Sequence, residues 1–285
     1  MPKQFRTVCR PPLDLAPLMS DLVRVGRDAD GGYLVPRDVL NDVTGCLSLG
    51  LGVDWSFEGA LYKLKRKSVD HLDIVFFDSS ISFLGILKSI KYVALRTHDE
   101  IFSKGLPKTE RKFKFEDLKR LLIGLFLFLP VFKVRKKFNH IRKHVVREPR
   151  SENETSFADA IAVRVNPKNT IVKIDIEGGE WDLLREKSDV AKLADAPVLI
   201  FEFHDTCRPE FLEVVSMIKE FFWIAHLHGN TSDRATEAGM PLYLEMTFVN
   251  KRYSPGSGIR KKLPIDGLDF PGRSGELPHE FEFSN

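Results

Sequence analysis

The sequence predicts an α/β sandwich, a mostly parallel sheet with helices on both faces. Three observations lead there. Short, continuously apolar runs such as Ile74–Phe77 suit strands buried on both sides. Segments with apolar residues at helical spacing alternate with those runs along the chain. Two glycines, Gly50 and Gly52, stand where an early run gives way to a helical stretch. The chain has 285 residues, 43% hydrophobic and 29% charged, which suits one globular domain over 1–285 and excludes a disordered or fibrous one.

Residues 1–45 are rich in Pro and Asp, and DADGGYLVP at 28–36 reads as a tight turn followed by a short strand over Tyr33–Val35. CLSLGLG at 46–52 is a strand ending in a glycine turn. Phe57, Ala60, Leu61 and Leu64 then form the apolar stripe of a helix, with Asp54 placed to cap it. HLDIVFFDSS at 71–80 is the next strand, and KYVALRT at 91–97 the expected third. After an irregular middle come the strand TIVKI from Thr170, a single helix over 180–193 and the strand PVLIFEFHD at 197–205. Phe211, Val215, Ile218 and Phe222 mark one more helix. The last two strands, in WIAHLHGN (223–230) and PLYLEMTFVNK (241–251), have no helix between them and should pair antiparallel at one edge. Residues 254–285 carry Pro and Gly without periodicity and read as an irregular tail over the surface.

Charge is nearly balanced, 43 basic against 40 acidic residues, but unevenly spread. Twelve Lys/Arg and only three Asp/Glu fall between Lys108 and Lys143, within an apparent insertion at 105–147. Its apolar run Leu121–Phe132 is too short, at about 18 Å of helix, to cross about 30 Å of hydrocarbon. Val134, Phe138, Ile141 and Val145 then line one face of a basic amphipathic helix. Residues 113–146 therefore read either as a peripheral membrane contact or as a helical hairpin packed on the domain. A nucleic-acid partner ranks low, because a solid Leu/Phe run threads the basic residues where isolated stacking aromatics would be needed. Three cysteines without paired spacing and an N-terminus without an apolar signal core point to a cytoplasmic protein, with the inner membrane face as its place of peripheral contact.

Four motifs could carry chemistry. Gly50-Leu51-Gly52 lies at a strand end, where glycines let a ligand approach the backbone and a helix N-terminus offers N–H groups. Asp78, ending the next strand, is placed to accept ribose hydroxyls. Asp54, Ser56 and Ser79 flank these positions as further cofactor contacts. The third glycine of a dinucleotide fingerprint would fall at Trp55, and Asp54 and Glu58 would repel a pyrophosphate. A cationic sulfonium cofactor, S-adenosylmethionine, suits those carboxylates better than NAD. In Lys173-Ile174-Asp175-Ile176-Glu177, strand alternation puts the three charged residues on one face. They need a ligand there, or an ion pair of Lys173 with a carboxylate. Glu202, His204 and His228 stand at later strand ends. With Asp175 they could deprotonate a hydroxyl, Asp175, His204 or His228 being the base. Asp175, Glu202 and His204 could instead hold a divalent cation such as Mg2+, or each histidine could simply satisfy a hydrogen bond.

Together these residues resemble the FkbM-type methyltransferase family, a Rossmann-like branch of the class I S-adenosylmethionine-dependent enzymes. The blocks are RVGRDADGGYLVP (24–36), SLGLGVDWSFEGAL (48–61), IVFFDSS (74–80), IVKIDIEGGEWDLL (171–184), LIFEFH (199–204), HLHGN (226–230), PLYLEMTFV (241–249) and LDFP (268–271). The resemblance implies a three-layer α/β/α fold on a seven-stranded sheet whose last strand is inserted antiparallel. It also implies methyl transfer to oxygen on a sugar, glycan or other small-molecule hydroxyl, which a membrane-facing insertion would extend to a lipid-linked saccharide. Gly50 and Gly52 would cradle the methionine portion, Asp78 the ribose, and Asp175 would face the transferred methyl. The competing readings are a nucleic-acid methyltransferase and a non-catalytic, membrane-associated binding module on the same fold.

Overall fold

The computed structural model describes residues 8–18, 21–52, 54–69, 72–80, 88, 90–91, 94–95, 138–230, 240–256, 258–272 and 277–283. Its centre is a seven-stranded sheet of β1 (Gly45–Leu49), β2 (Asp73–Phe77), β3 (Phe138–Ile141), β4 (Thr170–Ile174), β5 (Val198–His204), β6 (Phe222–Gly229) and β7 (Tyr243–Asn250). In space they run β3-β2-β1-β4-β5-β7-β6. Only β7 is antiparallel to its neighbours, lying between β5 and β6. The closing strands pair antiparallel as the sequence predicts.

Alternating side chains of the central strands feed two apolar layers. Leu47, Leu49, Val172, Ile174, Phe201 and Phe203 pack on one face against α2 (Phe157–Ala162), α3 (Glu180–Leu183), α4 (Lys187–Ala191) and α5 (Glu210–Lys219). On the other face Cys46, Ile171, Val198 and Ile200 meet α1 (Ser56–Lys65) and a hairpin of Leu22–Val25 with Tyr33–Pro36. The result is the expected three-layer sandwich. Cys9 and Cys46 are buried, Cys207 is exposed, and all three are free thiols.

Several expectations are corrected. The predicted strand at 91–97 is helical at every described position among 88–95. The third strand is β3, inside the segment predicted as a basic amphipathic helix; the same segment supplies a second strand, His144–Val146, paired with Glu154–Ser156. Tertiary pairing decided this: Phe138 and Ile141 fit helical spacing, but β2 offers an open ladder, and His140 stacks on Phe76 at 4.9 Å. The apolar run 121–132 and the rest of 105–137 lie outside the described residues. The single helix expected over 180–193 breaks into α3 and α4. Extended Glu186 intervenes, with Asp189 accepting its N–H and Arg147 bridging both carboxylates. In α1 the apolar face turns at its end: Leu64 is exposed while Lys65 is buried and donates to the Leu40 and Asn41 carbonyls.

The tail is not irregular. Lys262–Leu263 and Val8–Cys9 flank Glu280–Glu282 in a small sheet, because the alternating EFEF sequence buries Phe281 and Phe283. Asp269 accepts from the Ile265 N–H at 2.7 Å and faces His226 Nε2 at 3.1 Å and His228 Nδ1 at 3.5 Å. Burial alone would raise the Asp269 carboxyl, but the two histidines hold it far below the usual range. Arg24 completes the clasp, donating to the Leu268 carbonyl and lying over Phe270. Among the described residues no helix is long and apolar enough to cross a membrane.

Asp269→Ala should detach this tail from β6. We expect a loss of about 1–3 kcal/mol for each buried group left unpaired, seen in urea denaturation as a lower midpoint. An unchanged midpoint would mean that the clasp contributes nothing to folding.

Candidate active site

A cleft of about 560 Å³ lies over the carboxyl ends of the parallel strands. Two loops meet at its back. The Asp175 N–H donates to the Leu49 carbonyl, and the Gly50 N–H to the Phe77 carbonyl. Gly50 has φ +79°, and a Cβ there would sit 1.7 Å from the Asp175 carbonyl oxygen. Only glycine allows β1 and β4 to approach so closely.

Asp78 organises the glycine loop. Its Oδ2 accepts the Leu51 and Gly52 N–H groups at 2.9 and 2.7 Å, and its Oδ1 accepts the Ser80 N–H and hydroxyl. Burial opposes its charge, but the Ser80, Gly52 and Leu51 donors hold the carboxyl below its usual range. Four bonds fill a carboxylate's acceptor positions. The side chain expected to hold a ribose is therefore first a clamp on the loop. Asp54 accepts the Ser56 N–H rather than capping by the predicted register, and Ser56 Oγ donates to the Gly31 carbonyl. Both residues tie α1 to the hairpin turn, and Asp54 also meets Arg27 at 3.5 Å. Ser79 lines the cleft beside them.

Under the cleft lies Lys173, 3% exposed, its Nζ 3.0 Å from Asp175 Oδ2 and 5.5 Å from the Tyr33 ring centre. The ion pair considered from the sequence is thus formed, while Asp175 keeps an edge on the cleft. Burial lowers the Lys173 ammonium's affinity for its proton, but Asp175 and Glu58 outweigh it and leave it above the usual lysine range. Glu58 is buried in α1 and takes a 2.6 Å bond from Ser48.

The histidines part company. His204 lines the cleft with its Nδ1 3.2 Å from Glu180 Oε1 and its Nε2 3.3 Å from Glu177 Oε2. Burial disfavours its charge, but Glu180 and further carboxylates push it up to about 9. A ring that its carboxylate neighbours hold protonated is ill suited to the expected role of base. His228 faces Asp269 and does not line the cleft, so the structure keeps it apart from Asp175, Glu202 and His204. Glu202 lines the cleft, its Oε1 accepting from Asn230 at 3.0 Å. Burial, Asp175 and Asp30 push its carboxyl up to about 8. The predicted metal trio divides: Asp175 and His204 cluster with Glu177, whereas Glu202 clusters with Asp30 and Glu245.

Sequence reasoning missed part of the wall. Asp30, Tyr33, Lys143, Asn230 and Tyr243 also line the cleft. Asp30 and Asn230 lay in quoted motifs, but nothing local marked them; Lys143 was hidden by the predicted helix. Glu180 and Trp181 were read only as a helix start. Glu180 instead takes the Gly178 and His204 N–H groups, and Trp181 Nε1 donates to the His204 carbonyl at 2.7 Å. The EGGEW turn thus fastens β4 to the end of β5. Beside it Glu177 and Asp205 hold left-handed backbone, φ +54° and +66°, the kind of strain that gathers at functional sites.

No protein-family model matches the chain, and no curated protein matches it. Solved structures similar to it include a Streptococcus pneumoniae protein described as a tRNA (m1A22) methyltransferase, 9% identical, covering 77% of this chain and 71% of that one with a TM-score of 0.35. The same protein in complex with S-adenosyl-L-methionine is 8% identical over 77% and 74%, with a TM-score of 0.33. A class I S-adenosylmethionine-dependent methyltransferase from Listeria monocytogenes is 12% identical over 78% of this chain and 60% of that one, with a TM-score of 0.36. Likeness at this level bears on neither substrate nor mechanism.

Gly50→Ala should drive β1 from β4 and lower stability by about 4 kcal/mol or more, measured by thermal and urea unfolding. A near-native melt would refute the close approach. The Asp78 clamp should hold above the free carboxyl's pKa and be lost as pH falls below about 4, since its folded pKa is depressed. Trp55 fluorescence, isolated by replacing Trp181 and Trp223 with Phe, should report that loss with Asp78 in place. In Asp78→Asn the signal should already be altered at pH 7 and should lack the acid transition.

Proposed function

We propose that this chain is an S-adenosylmethionine-dependent O-methyltransferase acting on a hydroxyl of a sugar or glycan. The observation that carries the reading is β7, inserted antiparallel between β5 and β6 as the methyltransferase resemblance implies. The residues at the strand ends suit that cofactor. Six acidic side chains line the cleft against Lys143, Lys173 and His204, so its lining is acidic on balance, an electrostatic setting for a cation. A dinucleotide pyrophosphate or a phosphodiester chain would meet the same charges as repulsion. Gly50 and Gly52 would hold the methionine portion, with Asp54, Ser56 and Ser79 around it and Asp78 fixing the loop. Bound there, the cofactor supplies a methyl group on positively charged sulfur.

The chain's own part is positioning and proton transfer. Glu202, Asn230 and Tyr243 stand across β4 from the glycine loop and offer donors and acceptors to a polyhydroxyl acceptor. Orienting one hydroxyl there turns a bimolecular encounter into a nearly unimolecular one. With His204 protonated and His228 turned to Asp269, the carboxylate of Asp175 takes the hydroxyl proton.

Isothermal titration with S-adenosylhomocysteine should show one site per chain, which NAD does not compete for. Asp175→Asn should keep that affinity while slowing label transfer from the cofactor to neutral oligosaccharides by roughly 10²–10⁴-fold. Absence of binding, or label appearing in RNA and not in saccharides, would overturn the reading.

A further inference from the structure

The pairing of β5 with β7 sets Glu202 directly opposite Glu245, so the two carboxylates share one face of the sheet. Asp30, from the hairpin turn above that face, closes the group. One oxygen from each of the three lies within 4.8 Å of the others. Glu245 is 5% exposed and has no hydrogen-bond partner among the described residues. The guanidinium of Arg24, which attracts it electrostatically, donates instead to the carbonyls of Arg27, Ala29 and Leu268. Only one oxygen of Glu202 is engaged, by Asn230. Arg24 and His204 attract these two adjoining buried carboxylates from nearby, but neither cation bonds to them directly.

We propose that Asp30, Glu202 and Glu245 form a site for a hard divalent cation, reached from the cleft that Asp30 and Glu202 line. Three carboxylate oxygens at this spacing can share one such ion, which prefers oxygen ligands and completes its shell with water or hydroxyls. The site is distinct from the Asp175–Glu177–His204 group, where an imidazole already lies between two carboxylates. Its role in turnover, holding two acceptor hydroxyls in place, rests on the proposed function; its capacity to bind the ion does not.

The test is titration of the intact protein with Mn2+, followed by the loss of the free-ion electron paramagnetic resonance signal. One Mn2+ per chain, displaced by Mg2+, is expected. Glu245→Gln should weaken it by about tenfold or more, with circular dichroism confirming the fold. Glu177→Gln, in the neighbouring group, should leave it unchanged. Absence of binding at millimolar Mn2+, or binding that survives Glu245→Gln, would overturn the proposal. S-adenosylhomocysteine titration of the same samples separates the two readings, since cofactor binding without Mn2+ binding removes only the cation.

Discussion

One buried ammonium lets this cleft be acidic. Lys173 sits in the central strand among Val and Ile, where a lone charge would be untenable. Asp175 at 3.0 Å and Glu58 in α1 make it bearable, and in turn it is the nearest compensation for carboxylates crowded above it. The arrangement also orders the layers. Ser48 pairs in register with Lys173 and bonds to Glu58, so the first helix is fastened to the sheet through the same polar knot. Such a knot adds little net stability over apolar packing, yet removing one member would strand the others in a dry interior. It is better understood as a device that fixes where β4 ends and which way Asp175 faces.

The histidines show how differently one residue type is used. At the end of β5, His204 is gripped by backbone and side chain alike: Glu180 takes its N–H, Trp181 its carbonyl and Glu177 its outer nitrogen. At β6, His226 and His228 turn to Asp269 and lock the C-terminal tail over the edge of the sheet. Both arrangements bury an imidazole against carboxylates. Only the first borders the cleft, and there the carboxylates that position the ring also keep it protonated.

Most of the fold was legible because the central strands carry a strong signal. Runs such as VFF and VLIFEF are buried on both faces and have no helical alternative, and the glycines after β1 mark the turn. Legibility failed where local pattern and long-range pairing disagree. Phe138, Ile141 and Val145 satisfy helical spacing, and only the vacant edge of β2 makes that segment a strand. The tail failed for a similar reason, since strands of two and three residues are too short to stand out as periodic and Asp269 finds its partners 43 and 41 residues earlier. Of the site, the glycine loop, Asp78, Asp175, Glu202 and His204 were brought to one cleft, as strand-end positions in a parallel sheet must be. Glu245 escaped because it lies inside β7, where alternation alone would give it a buried face and no role.

The two halves of the cleft are satisfied to different degrees. On the side of β1 and β2, the carboxylates that line the cleft are matched within the protein: Asp78 takes four bonds, and Asp54 ties helix to hairpin. Such a wall is preorganised and suits a ligand that never changes. Across β4, Glu202 and Glu245 are buried with few donors among the described residues. Buried polar groups are ordinarily paired, so this half has bonding capacity to spare, which the proposed cation and acceptor would use. Under the proposed function, the cofactor would take the finished side and the hydroxyl-bearing acceptor the unfinished one. Discrimination among acceptors should then reside in β5, β7 and the turn at Asp30, because leaving those carboxylates unpaired is what penalises a wrong ligand.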